Sequence, residues 1–147
     1  MDDCLFCKIV KGEVPSLKIH ENDEFMAFLD IFPNTIGQSL VIPKKHFSSD
    51  VSEMPVSEYN NFFSYAREIV ELLKKKLGVF KVAMVVEGMG VNHAHIKLYP
   101  LIGVSKEFQE IHNPERVFFE RYNGFITTKT GPPGQNLKLI HEKITST

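Results

Sequence analysis

The stretch GVNHAHIKLYP, Gly90 to Pro100, holds two histidines and a lysine at intervals of two: His93, His95 and Lys97. Alternation with that period belongs to a β-strand, whose successive side chains point to opposite faces. Ala94, Ile96 and Leu98 then face a core, and His93, His95, Lys97 and Tyr99 share the other side. Residues two apart in a strand lie about 6.6–7 Å from each other, a spacing at which three groups can surround one phosphate or one metal-bound ligand. Two imidazoles and one fixed cation can serve as nucleophile, base or metal ligand. A lone histidine on such a face would be an ordinary exposed polar residue. His-x-His-x-Lys directly after the glycine-rich turn Glu87-Gly-Met-Gly90 points instead to a site.

Upstream, Phe80-Lys-Val-Ala-Met-Val-Val86 reads as a strand. Before it, a helix is expected from about Pro55 to Leu77. Phe62, Ala66, Ile69, Leu73 and Leu77 recur at intervals of three to four, and Phe63 and Val70 widen the stripe. Lys74, Lys75 and Lys76 suit the last turn as a solvated helix end, and Gly78 suits the C′ position. Earlier still, KIHEND and FMAFLDIFP form a hairpin turning at Asn22 and Asp23, and Gln38-Ser-Leu-Val-Ile-Pro43 is a third β-rich run that Pro43 ends. The order is β-β-β-α-β-β. Short connections favour an antiparallel sheet with the helix on one face, an α+β domain whose other face is free to carry a site. Beyond Leu101 the signals weaken. Asn113 to Tyr122 is expected to be helical, GPPGQN to be a loop, and Leu139 to Ile144 a short closing apolar segment.

The chain has 147 residues, 43% hydrophobic and 24% charged, enough for one domain with a core that needs no disulfide. A single domain over 1–147 is expected, with its core at about 4–100 and a divergent extension over 101–147. The net charge of −1 provides no broad basic field for nucleic acid or an anionic membrane surface. No apolar run approaches the roughly 20 residues of a membrane span, and the acidic start MDDC lacks a signal-peptide pattern. A cytoplasmic protein is expected, with thiols or metal ligands rather than a disulfide at its two cysteines. Cys4 and Cys7 form C-x-x-C, which reads as a redox pair, half a metal site or two small buried residues. The redox reading is disfavoured because such motifs open a helix after a strand, and this one stands at the extreme N-terminus. Two thiolates with His46 and one strand histidine would complete a tetrahedral Cys2His2 zinc site.

Taken together, CLFCKIVKGEVPSLKIHENDEFMAFLDIFPNTIGQSLVIPKKHF and NHAHIKLYP resemble the histidine triad family, nucleotide hydrolases and transferases of the Hint and bacterial Hit type. The resemblance covers about Cys4 to Pro100. It implies a five-stranded antiparallel sheet with one main helix, usually paired as a homodimer. It implies substrates that are nucleoside phosphoramidates, nucleotidyl esters or dinucleoside polyphosphates. His95 would attack the α-phosphate and form a nucleotidyl-histidine that water cleaves. Asp30 would accept both ribose hydroxyls, and Phe6, Ile9, Val14, Phe28, Ile31 and Leu40 would form the apolar slot for the base. Cys4, Cys7, His46 and His93 would hold a structural zinc, four protein ligands leaving no open position.

Three features depart from the family pattern. Lys97 stands where the third histidine would be. Gly37-Gln38 replaces an upstream Gly-His. The phosphate loop is shortened to EGMGVN, and Asn92 or the backbone N–H groups of Gly88 to Gly90 are the candidates to substitute. Lys97, with an ordinary pKa near 10.4, can hold a phosphate oxygen and stabilise developing charge. It is a poor proton shuttle at neutral pH. The alternative to a hydrolase is therefore a catalytically weak, zinc-stabilised nucleotide-binding or scaffold protein.

Overall fold

The structure is a computed structural model that describes residues 3–111, 114–122 and 124. It divides into two units, Met1–Glu107 and Phe108–Thr147. The first holds α1 (Leu5–Val10), β1 (Lys18–Glu21), β2 (Phe25–Leu29), β3 (Ser39–Pro43), a single 3₁₀ turn (Val51–Glu53), α2 (Val56–Leu77), β4 (Val82–Val85) and β5 (Ile96–Pro100). The strands form one five-stranded sheet in the order β1-β2-β3-β5-β4, every neighbouring pair antiparallel. No helix among the described residues is long and apolar enough to cross a membrane.

The hairpin turns where the sequence indicates. Asn22 Oδ1 accepts the N–H groups of Glu24 at 2.9 Å and Phe25 at 2.7 Å, so the side chain replaces the ladder through the turn. α2 runs as the periodicity requires and stops at Gly78, whose φ of 67° few other residues adopt without strain. Its inner face buries Phe62, Tyr65, Ala66, Ile69, Val70 and Leu73 against Phe25, Ala27, Val41, Ile96 and Leu98. Each large side chain so buried contributes roughly 1.5–3 kcal/mol before entropy is subtracted. Leu77, at the end of the stripe, is 38% exposed. Its Cδ1 occupies the space a Cβ on Gly37 would need, so that glycine admits the last turn of α2.

The sheet is covered on its second face as well, which the expected element order did not include. α1 lays Phe6 and Ile9 on Met26, Phe28 and Ile42. That explains the unbroken apolar run of β2: Phe25 and Ala27 pack toward α2, Met26 and Phe28 toward α1, as in a strand buried on both sides. Two strands are shorter than expected. β4 is trimmed to Val82–Val85 and β5 begins only at Ile96.

In the second unit, the helix expected from Asn113 to Tyr122 is absent from the described residues 114–122. A segment of about ten residues is too short to hold a helix without a packed face, and Phe118 is 69% exposed. The expected GPPGQN loop and the Leu139–Ile144 segment lie outside the described residues.

Candidate functional site

Cys4 caps the start of α1 and Cys7 follows one turn later, so both thiols sit on one helix face. The C-x-x-C opens a helix, but no strand among the described residues precedes that helix, so the arrangement of a redox motif is not met. What the thiols face is two histidines. His93 Nδ1 lies 3.4 Å from Cys4 Sγ and 3.6 Å from Cys7 Sγ, and His46 Nδ1 lies 3.3 Å from Cys7 Sγ. The four ligand atoms lie within 4.8 Å of one another. A tetrahedral zinc with Zn–S near 2.3 Å and Zn–N near 2.0 Å separates its ligands by roughly 3.3–3.8 Å. The three thiol–imidazole separations of 3.3–3.6 Å fall in that range, so the donor set suits such an ion. The second shell fits too. His93 Nε2 donates to the Pro43 carbonyl at 2.8 Å, which fixes the tautomer whose lone pair, on Nδ1, points at the thiols. Burial pushes the Cys7 thiol up and the His93 imidazole down.

His93 to His95 precede β5 rather than belonging to it: His93 lies in a bend, its N–H on the Val91 carbonyl at 2.8 Å, and the Ala94 N–H donates to the Phe47 carbonyl at 3.0 Å. The alternation survives. Ala94, Ile96 and Leu98 join the α2 core, while His93 and His95 turn toward α1. His95 is 2% exposed, and its Nδ1 donates to its neighbour His93's carbonyl at 2.8 Å. A carbonyl only accepts, so the proton is on Nδ1 and Nε2 carries the lone pair. Burial, followed by the charge of Lys97, holds this imidazole below its usual pKa, opposed by hydrogen bonds to backbone and by Glu87.

Lys97 is not alone on its face. Its Nζ lies 3.0 Å from Glu87 Oε2, the carboxylate side chain only 10% exposed. Glu87 was not among the residues singled out in the sequence. Its signal is the antiparallel register Val85↔Lys97, which sets a residue just past β4 diagonally against Lys97.

Phe6, Ile9, Val14, Phe28, Asp30, Ile31 and Leu40 all line one apolar cavity of about 210 Å³. Leu5, Pro15, Ser16, Leu29 and Phe32 join them. Ile31 and Phe32 are 71% and 83% exposed at its rim. Large apolar side chains exposed beside a cavity are a ligand-site signal. The Phe6 ring meets Phe28, His93 and His95 edge-on, with centroids 5.9, 5.8 and 5.6 Å apart. One ring thus touches the apolar cavity, the thiol–imidazole cluster and the candidate nucleophile. At the cavity mouth, Asp30 Oδ1 accepts the Phe32 N–H at 2.8 Å and Oδ2 accepts the Gln38 amide at 2.7 Å.

Gly90 and Asn92 do not line that cavity. They border a separate hollow of about 440 Å³ with Cys4 and His46, and Asn92 Oδ1 accepts the Ser49 N–H at 3.1 Å. Within the loop over residues 87–92, the glycine that a Cβ would crowd is Gly88. Its φ is +73°, and a Cβ there would stand 3.0 Å from the Ser49 carbonyl oxygen.

The sequence matches the model of the HIT domain over residues 11–101, a span that takes in all five strands but neither cysteine. An uncharacterised HIT-like protein of Methanocaldococcus jannaschii is 42% identical over 102 residues, covering 66% of this chain and 78% of the relative. An adenosine 5'-monophosphoramidase of Saccharomyces cerevisiae is 36% identical over 102 residues, 66% of this chain and 61% of the relative. Among solved structures, a Zn-bound histidine triad family protein from Mycobacterium smegmatis superposes with a TM-score of 0.65 at 27% identity, covering 78% of this chain and 85% of that one.

Proposed function

The chain belongs to the HIT domain family, and from that premise we propose that it is a nucleotide hydrolase or transferase in which His95 attacks an α-phosphorus. The observation that carries this reading is the placement of His95: buried, with Nδ1 on the His93 carbonyl at 2.8 Å, a contact that assigns the proton to Nδ1 and leaves the lone pair to Nε2. Substrates are nucleoside phosphoramidates, nucleotidyl esters or dinucleoside polyphosphates. Nε2 donates its lone pair to phosphorus, and the bond from phosphorus to the leaving nitrogen or oxygen breaks, that atom keeping the electron pair and taking up a proton from solvent. Water then attacks phosphorus, the P–N bond breaks, and the imidazole is restored with release of a nucleoside monophosphate. Lys97 offsets charge on a non-bridging oxygen, and Asp30 accepts the ribose hydroxyls at the cavity mouth. Cys4, Cys7, His46 and His93 would hold zinc, which supplies a structural brace rather than chemistry because four protein ligands leave no open position. The same reading takes the protein as a cytoplasmic homodimer, with dimerisation tested by sedimentation.

One observation favours the second reading, a nucleotide binder of weak turnover. The Lys97 ammonium is already paired with Glu87 at 3.0 Å, so a phosphate must compete for it. The two readings part in one experiment. Protein mixed with adenosine 5'-phosphoramidate and quenched in neutral denaturant is weighed intact, with His95→Ala as control. A nucleotidyl adduct on the parent alone is expected. Nucleotide binding that survives His95→Ala, with no adduct on the parent at any time, would overturn the hydrolase reading in favour of the binder.

A further inference from the structure

Gln38 occupies the histidine position of the Gly-His pair that the resemblance implies, and the residue is almost completely buried, 3% exposed. A buried amide must spend its donors and acceptor well, and this one does. The Asn34 N–H lies 2.6 Å from Gln38 Oε1. A backbone N–H can only donate, so the atom it meets must be the oxygen, and the amide orientation follows without ambiguity. Nε2 is therefore the atom aimed at Asp30 Oδ2, 2.7 Å away. The Phe32 N–H holds Oδ1, and the Asp30 N–H donates to the Gln38 carbonyl at 3.0 Å. The carboxylate is pinned from two sides.

The count of lone pairs has a chemical consequence. An ionised carboxylate has about four acceptor sites, two per oxygen. The Phe32 N–H takes one on Oδ1 and the Gln38 amide one on Oδ2. One site remains on each oxygen, with the carboxylate plane fixed. Two free acceptors side by side match two vicinal hydroxyls. We propose that Gln38 is a positioning residue that makes this cavity select ligands with a ribose cis-diol over their deoxy counterparts, by holding Asp30 for two simultaneous hydrogen bonds. This rests on the reading of Asp30 as the ribose acceptor and adds to it the residue that sets its selectivity. A carboxylate free to rotate would still accept hydroxyls, but it would lose the bidentate geometry and the entropy advantage of being held.

The test compares dissociation constants for AMP and 2′,3′-dideoxy-AMP, measured on the full chain by calorimetry. The parent should bind AMP about 10–100-fold more tightly, the worth of two charge-assisted hydrogen bonds less their cost. Gln38→Met keeps the side-chain length and removes the amide. It should cut the preference to about threefold or less while leaving dideoxy-AMP affinity unchanged, the latter showing that the cavity is intact. Because Gln38→Met also strands the Asn34 N–H and can unfold the loop, a measurement on the parent is paired with it. The Gln38 side-chain amide resonances should shift on adding AMP and stay in place on adding dideoxy-AMP. Asp30→Asn separates the two layers of the argument. If it leaves the preference intact, or if the parent has none, the ribose role of Asp30 falls and the proposal with it. If Asp30→Asn abolishes the preference but Gln38→Met preserves it, or the amide resonances respond equally to both ligands, Gln38 has no positioning role.

Discussion

Phe6→Ala probes the joint at which the site is assembled. The ring is 5% exposed and belongs to the smaller core beneath α1. An aromatic side chain buries about 150–250 Å², which at about 25 cal/mol/Å² gives an upper bound near 4–6 kcal/mol. Measured Phe→Ala losses run about 3–5 kcal/mol, and that is the expected destabilisation here. For a chain of this size it lowers the thermal midpoint by about 6–20 °C. Stability alone does not test the arrangement, since any core truncation costs something. The specific expectation comes from the edge contacts with His93 and His95 at 5.8 and 5.6 Å. Phe6→Ala should weaken zinc affinity, measured by competition with a chromogenic chelator, and nucleotide affinity, measured by calorimetry. Ile9→Ala is the control. Ile9 is 8% exposed and lines the same cavity, so its truncation should destabilise the fold and weaken nucleotide binding but leave zinc affinity alone. If the two variants lose zinc affinity equally, or neither does, the argument that the Phe6 ring braces both sites is wrong.

Removing the metal is a related test: protein purified without added zinc should carry about one equivalent, and a strong chelator should lower the thermal midpoint in the parent but not in Cys7→Ser. A metal-free parent with an unchanged midpoint in chelator would refute the metal site. Glu87→Gln should alter kcat more for substrates with poor leaving groups than for good ones, because it frees the Lys97 ammonium from its 3.0 Å partner; equal changes across leaving groups would remove Glu87 from the chemistry. Gly88→Ala, with φ of +73° and the Ser49 carbonyl oxygen 3.0 Å from the new Cβ, should cost about 1–3 kcal/mol, read from urea unfolding. Acid should destabilise the protein through His95. Its folded pKa lies below the usual 6.5, so the unfolded chain binds the proton first, and stability present above pH 6.5 is lost as pH falls from there toward the folded value. His95→Gln should flatten the slope of stability against pH in that window, and an unchanged slope would show that other groups set it.

Local rules carried much of this molecule. The Asn22 turn, the α2 stripe and its Gly78 stop depend on residues close in the chain, where propensity and periodicity act directly. The His93–Lys97 alternation likewise separated core from site before any partner was known. The ligand types at Cys4, Cys7, His46 and His93 were legible as chemistry but not as proximity, since the thiols and His93 are separated by some 86–89 residues. α1 was missed because a helix of six residues has too few turns to show a period, and it exists only because the sheet offers Phe6 and Ile9 a face to cover. Glu87 was invisible as a site residue, and Gln38 was legible only as a departure from the family's Gly-His pair, for a different reason. A single acid or amide becomes meaningful through what stands 3 Å away, and that was decided by strand register at Lys97 and by the closed loop from Asp30 to Gln38. The sequence by itself determined which groups could do chemistry and on which side of a strand they point. The tertiary structure alone decided which of them meet, because hydrogen bonds and ion pairs act over a few ångströms of space and take no account of distance along the chain.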